Sequence, residues 1–208
     1  MEDSKRTEIG ELGEFGLIDH LNKSIVIKNP STFKGIGDDA AVIEAGDHVK
    51  VVTTDLLLEG VHFDLAYAPL QHVGFKAVAV NISDVAAMNA IPKQITVSIA
   101  LSNRFSVEAV DALYSGINAA AEHYNVDVIG GDTTASRSGL VISITAIGEA
   151  KKEELSYRSG AKVNEIICAT GDLGGALVGL QILEREKQVF MANPDMKPDL
   201  DKYTFVTA

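Results

Sequence analysis

Near the start of the chain, apolar residues recur every third position, at Leu12, Phe15, Ile18 and Leu21. That spacing predicts a helix over residues 8–21, despite the three glycines it contains. Two short apolar runs follow at 38–44 and 49–54, on either side of Ala45-Gly46-Asp47-His48. A Gly-Asp turn joining two strands accounts for them. Residues 70–90 are rich in Ala, Val and Met with few breakers, and read as a buried helix whose small residues permit close packing. Ile95, Val97, Ile99 and Leu101 alternate with Gln94, Thr96, Ser98 and Ala100, the period of a strand with one buried face. Ser106 stands where an N-cap belongs, ahead of the stripe Val110, Leu113, Ile117, Ala121 and Tyr124. Residues 126–129 make a short strand ending in Gly130-Gly131-Asp132, and residues 140–148 alternate again. Hairpins interleaved with helices predict an α+β (mixed α/β) fold with a mixed sheet, not a doubly wound parallel one.

The pattern changes at residues 149–159, where Lys151, Lys152, Glu153, Glu154 and Arg158 cluster. This places a domain boundary, with a first domain over 1–150 and the start of an incomplete second α/β domain over 151–208. The second segment predicts a strand at 166–169, a glycine-rich loop at 170–175 and a helix from Ala176 to about Glu186. Residues 192–208 are polar and contain Pro194 and Pro198.

Composition narrows the class. Of 208 residues, 46% are hydrophobic and 23% charged, which excludes a disordered tail or a coiled-coil rod. The formal net charge is −11, a sign that repels nucleic-acid backbones and anionic membranes. If the substrate is a phosphate, bound cations must answer that charge. The single cysteine, Cys168, lies in an apolar run and reads as a small buried hydrophobe. Residues 1–6 are charged with no apolar stretch after them, and no segment reaches ~18 apolar residues, so the expected address is the cytoplasm.

Four acidic positions stand out against apolar surroundings: Asp38-Asp39 after Gly35-Ile36-Gly37, Asp55 after Val51-Val52-Thr53-Thr54, Asp84 in Asn81-Ile82-Ser83-Asp84, and Asp132 in Gly130-Gly131-Asp132-Thr133-Thr134. An aspartate there is costly unless paired, hydrogen-bonded or bound to metal. Lys76 and Lys93 are the only Lys or Arg between Lys50 and Arg104, too few to pair them all. Carboxylates with hydroxyls and few cations suit Mg²⁺, not zinc. The competing reading makes each a cap or turn residue, and Asp38 fits that reading as a local backbone acceptor. Asp84 fits it least, because it lies inside an apolar helix. His62, seven residues past Asp55, is either a surface residue or a substrate contact. The loop Thr170-Gly171-Asp172-Leu173-Gly174-Gly175 could cradle phosphate, but lacks the Lys-Ser/Thr of a P-loop and reads first as a structural turn. Spacing shows no Ser/His/Asp or Cys/His nucleophile arrangement and no paired Cys or His of a zinc motif.

Seven motifs in order resemble the thiamine-monophosphate kinase family. They are Gly13-Glu14-Phe15-Gly16-Leu17-Ile18, Gly35-Ile36-Gly37-Asp38-Asp39-Ala40-Ala41-Val42, the run from Thr53-Thr54-Asp55 to Glu59-Gly60-Val61-His62-Phe63, Asn81-Ile82-Ser83-Asp84-Val85-Ala86-Ala87-Met88, Ile129-Gly130-Gly131-Asp132-Thr133-Thr134, Arg158-Ser159-Gly160-Ala161, and the 170–175 loop. The resemblance covers residues 11–186. It implies a superfamily shared with aminoimidazole ribonucleotide synthetase, selenophosphate synthetase and a hydrogenase-maturation protein. It also implies an N-terminal domain that forms a homodimer through a shared β-barrel. Asp39, Asp55, Asp84 and Asp132 match the family's magnesium ligands, and Thr53 and Thr54 the adjoining metal contacts. His62 matches a substrate contact, Gly131 and Asp132 nucleotide contacts, and Arg158 an ATP phosphate contact.

The implied reaction moves the γ-phosphoryl of ATP to thiamine monophosphate, with several Mg²⁺ ions as cofactors. The nucleophile is an already ionised phosphate oxygen, so no protein general base is expected. Two departures are visible. Lys162-Val163-Asn164-Glu165 replaces the family's usual Pro-Gly-Asp, and family members run on for more than a hundred residues beyond the position of Ala208. The resemblance puts a further aspartate motif and the thiamine-ring contacts in that missing part, and predicts exposed apolar surface on residues 151–208. Alternative readings are another ATP-dependent enzyme of the superfamily, or a non-catalytic Mg–nucleotide-binding dimerisation module.

Overall fold

The computed structural model describes residues 7–171 and 173–193. Asp172 of the glycine-rich loop and the polar residues beyond Asn193 lie outside the described residues. The element order is α1 (Ile9–Asn22), β1 (Thr32–Lys34), β2 (Ala41–Ala45), β3 (His48–Leu58), α2 (Leu70–Ala87), β4 (Ile91–Leu101), α3 (Val107–Tyr124), β5 (Asp127–Ala135), β6 (Val141–Ala150) and α4 (Gly175–Ala192). Two single 3₁₀ turns, Lys152–Glu154 and Arg158–Gly160, lie between β6 and α4.

The strands form one mixed sheet in the order β1-β2-β3-β6-β4-β5. Neighbours are antiparallel except β4 and β5, which run parallel and are joined by α3. Alternation decides which face is covered. Val51, Leu57, Ile95, Val97, Ile99, Ile142, Ile144 and Ala146 are buried on one face. They share a core with Val73, Ala77, Val78, Ile82 and Val85 of α2 and Leu113 and Ile117 of α3. Helices α2 and α3 meet at two glycines. A Cβ on Gly74 would come within 2.1 Å of the Leu113 carbonyl oxygen, and one on Gly116 within 1.8 Å of that of Gln71. Ser106 caps α3 by accepting the Ala109 N–H at 3.3 Å. Asn125 closes that helix in the left-handed conformation.

Most of the expected elements are present, and three expectations are corrected. The strand expected to end at Ile129 runs through Gly130-Gly131-Asp132 to Ala135, because β4 supplies a ladder along that length. Residues 166–169 are not a strand, as no neighbouring strand among the described residues pairs with them, and Ile166 and Ile167 are exposed. Cys168 is therefore exposed instead of buried. β1 was not foreseen; it is three residues long with no alternation to read. The exposed apolar surface expected on 151–208 is there at Val163, Ile166, Ile167 and Leu173. The expected stripe lies on α1, but the helix is not continuous: the backbone leaves the helical conformation at Gly13 (φ 65°, ψ −178°), between Leu12 and Phe15, and α1 has no buried residue. No helix of the described residues is long and apolar enough to cross a membrane.

Candidate functional site

The odd-numbered positions of β3 face α2, and this alternation selects Thr53 and Asp55 for the same side as Asp84. The Thr53 hydroxyl donates to Asp84 Oδ2 at 3.0 Å. β2 pairs with β3 only as far as Val52, so the outer edge of β3 has no strand of this sheet beside Asp55. There the Asp55 N–H donates to Asn81 Oδ1 at 2.9 Å. Asn81 is fully buried, and its Nδ2 donates to the Ala77 carbonyl at 2.9 Å.

Asp39 comes to the same region from the turn before β2, where its carboxylate accepts the Arg158 guanidinium, with Nε at 3.1 Å. Asp38 has the structural role expected of it. Its Oδ1 accepts the backbone N–H groups of Asp39 (3.2 Å) and Arg158 (3.3 Å), and its Oδ2 pairs with Lys34 at 2.7 Å. Burial pushes the Asp38 carboxyl up, but Lys34 and the two N–H groups outweigh it and hold it below the usual range. Asp84 goes the other way. Burial raises it, the Thr53 hydroxyl offsets part of this, and the carboxylates of Asp55 and Asp39 raise it further against the pull of Arg158. Crowded carboxylates with one nearby cation form a patch that a hard cation would relieve.

The remaining expected residues lie elsewhere in the chain. Thr54 points to the opposite face of the sheet, where its hydroxyl donates to the Ile144 carbonyl at 3.1 Å and accepts from Thr145 at 3.2 Å. Asp132 pairs in register with Ser98, then Ser143, then Leu56 of β3, on that same opposite face. Three inter-strand steps separate β5 from β3, roughly 14 Å, so Asp132 is not in the Asp55–Asp84 patch. Gly131 packs where a Cβ would strike the Val97 carbonyl oxygen.

His62 follows β3 and accepts the Leu58 N–H on Nδ1 at 3.0 Å, so a neutral ring carries its proton on Nε2. It lines a cleft of about 430 Å³ with Phe63, Tyr67, Lys76, Leu177 and Glu184. Lys76 Nζ donates to the His62 carbonyl at 2.7 Å, and the Tyr67 hydroxyl donates to Glu184 at 2.7 Å. A second cleft of about 450 Å³ is lined by Glu59, Ser102, Asn103, Arg104 and Arg137. Glu59 there takes both an Arg104 ion pair and the Leu140 N–H at 2.9 Å. Neither cleft contains Asp39, Asp55 or Asp84.

Among the described residues no three His, Cys, Asp or Glu side chains converge to hold a metal ion. Mg²⁺ seldom needs such a cage, since one or two carboxylates plus substrate phosphates and waters usually hold it. Asp55, Asp84 and the Thr53 hydroxyl have that donor chemistry, so the residues fit an ion completed by a phosphate. Asn81 and the Glu59–Arg104 pair were not singled out from sequence. Asn81 carried a readable signal: it is an amide inside an apolar helix, three residues before Asp84 and so on the same face.

Residues 37–150 match the model of the family described as AIR synthase related protein, N-terminal domain. The chain is 42% identical over 176 residues to a thiamine-monophosphate kinase of Bacillus subtilis, covering 84% of this chain and 54% of that protein. A solved complex of AaThiL with AMPPCP and TMP superposes with a TM-score of 0.77 at 34% identity, covering 94% of this chain and 58% of that one. A thiamine monophosphate kinase structure from Aquifex aeolicus superposes with a TM-score of 0.71 at 29% identity, over 95% of this chain and 65% of that one. The chain thus spans little more than half the length of the curated relatives it matches. With more than half of its residues inside the family's domain, this chain belongs to the AIR synthase related family, and its homologues are thiamine-monophosphate kinases.

Proposed function

We propose that this chain carries the Mg²⁺–ATP site of a kinase that phosphorylates thiamine monophosphate to thiamine diphosphate. The observation that carries the reading is the patch of Asp39, Asp55 and Asp84, with Arg158 as its nearby cation. The match to a protein solved with AMPPCP and TMP supports the choice of substrates.

In this reading Asp55, Asp84 and Thr53 hold magnesium, and Asp39 adds a further ligand once Arg158 turns to an ATP phosphate. Bound Mg²⁺ supplies charge neutralisation between two anions and alignment for in-line transfer. The chain's own contribution is positioning. No side chain must remove a proton, because the acceptor phosphate is already ionised. His62 forms one wall of the acceptor pocket, with Nε2 free to donate. Gly131 is in register with Val97, Ile144 and Asp55, while Thr54 and Asp132 stand on the opposite face of the sheet, apart from this patch. That face, where Leu56 is 54% exposed and β5 is exposed along its length, is the surface for a homodimer built as a shared barrel. Residues 1–150 make the Mg–nucleotide and dimerisation domain, residues 151–208 begin a second domain, and the protein works in the cytoplasm, where ATP is supplied.

The test is turnover. The 208-residue chain is incubated with ATP and thiamine monophosphate, with and without Mg²⁺, and thiamine diphosphate is quantified by chromatography. Magnesium-dependent product, lost in Asp55→Asn, is the expected result. Product that forms equally without Mg²⁺ would overturn the reading.

A further inference from the structure

We infer that Asn81 is a positioning residue for the metal patch, its side-chain amide locking the backbone of Asp55 to the helix that carries Asp84. The inference rests on the proposed Mg²⁺ reading of Asp55 and Asp84 and names what holds those two groups in register. Thr53, Asp55 and Asp84 come from two elements, and a ligand pair split between a strand and a helix is only as well placed as the contact between them. Two side-chain bonds make that contact: Thr53 Oγ1 to Asp84, and Asp55 N–H to Asn81. They sit one helical turn apart on α2, so together they fix both the height and the rotation of the helix against β3.

The amide is the group this position requires. Its oxygen takes an N–H that the sheet leaves without a strand partner, and its nitrogen fills the Ala77 carbonyl within α2. A carboxylate of the same shape accepts the first bond and cannot donate the second. It also adds a buried negative charge beside Asp55 and Asp84. An aliphatic residue leaves the half-buried Asp55 N–H without its Asn81 partner.

The experiment is calorimetric titration of Mn²⁺ into the wild-type chain, Asn81→Asp and Asn81→Leu at 25 °C, with a thermal melt of each. Positioning predicts wild-type binding and a loss of about tenfold or more in Mn²⁺ affinity in both variants, even where the melt shows them folded. A lowered melting temperature with unchanged affinity would mean that Asn81 is only structural, and would overturn the inference while leaving the Mg²⁺ reading intact. A wild-type chain that binds no Mn²⁺ would overturn both. Should the variants not fold, an NMR titration of wild type with Mg²⁺ decides. The Asp55 N–H and the Asn81 side-chain NH₂ signals must shift together with one midpoint, and no shift at saturation would count against the inference.

Discussion

Asp84 lies in the last turn of α2, where the helix carbonyls already disfavour an anion. Burial and the carboxylates of Asp55 and Asp39 disfavour it further, and only Thr53 and Arg158 act in its favour. A residue held against so many opposing influences is the observation behind the proposed cation site. The prediction at this scale is a trade between stability and function. Asp84→Asn keeps an acceptor for the Thr53 hydroxyl and removes one of three repelling charges. The metal-free variant should unfold at a higher urea concentration than wild type while losing Mn²⁺ affinity at least tenfold. A lower urea midpoint would show that the crowding is not costly. Much of this was legible in the sequence, because an Asp inside an apolar helix is conspicuous and Lys and Arg are scarce around it. The partition of the ligands was not. Thr53 and Thr54 read as one pair in the chain, yet a period of two sends neighbours to opposite faces, and only the sheet order shows Asp132 three strands from Asp55.

At the scale of elements, α4 is tied to the loop after β3 by two polar contacts: the Lys187–Asp64 ion pair and the Tyr67–Glu184 hydrogen bond. Lys187 and the Ala66 N–H hold the Asp64 carboxyl below its usual range. Because that folded-state pKa is lowered, the contribution is fully present above the unfolded value near 3.8 and is lost as pH falls through the lower folded value. Lys187 is raised by Asp64, so its share holds below the unfolded 10.5 and is lost as pH rises through the raised value. Tyr67, pushed up to about 12 by burial and by Glu184, follows the same sign at the alkaline end. Lys187→Met should therefore lower the urea midpoint at pH 7, and the gap from wild type should close in acid below the lowered Asp64 pKa. A gap that persists there would show that Lys187 acts through packing alone.

The elements themselves were readable where burial imposed a period. Alternation along β4 and β6 and the stripe of α3 follow directly from one covered face. β5 was cut short because glycines carry no side chain to continue the pattern, and because its ladder to β4 depends on a partner distant in sequence. The run at 166–169 failed for the opposite reason. Its apolar residues had the right composition for a strand and no strand to pair with among the described residues.

For the whole molecule, a net charge of −11 and the proposed phosphate substrate are compatible only if cations stand between them. The fold provides one carboxylate patch on the helix-covered side of β3, and a hydroxyl-bearing face opposite it that displays Thr54, Ser98, Ser143 and Asp132. The central claim is that the carboxylate patch binds nucleotide through Mg²⁺. It is tested most directly by titrating AMPPCP into the 208-residue chain with and without Mg²⁺, for wild type and Asp55→Asn. The account predicts binding by wild type in Mg²⁺ alone, with none in its absence and none by Asp55→Asn in either condition. Binding that survives both removal of Mg²⁺ and loss of the Asp55 charge would contradict it.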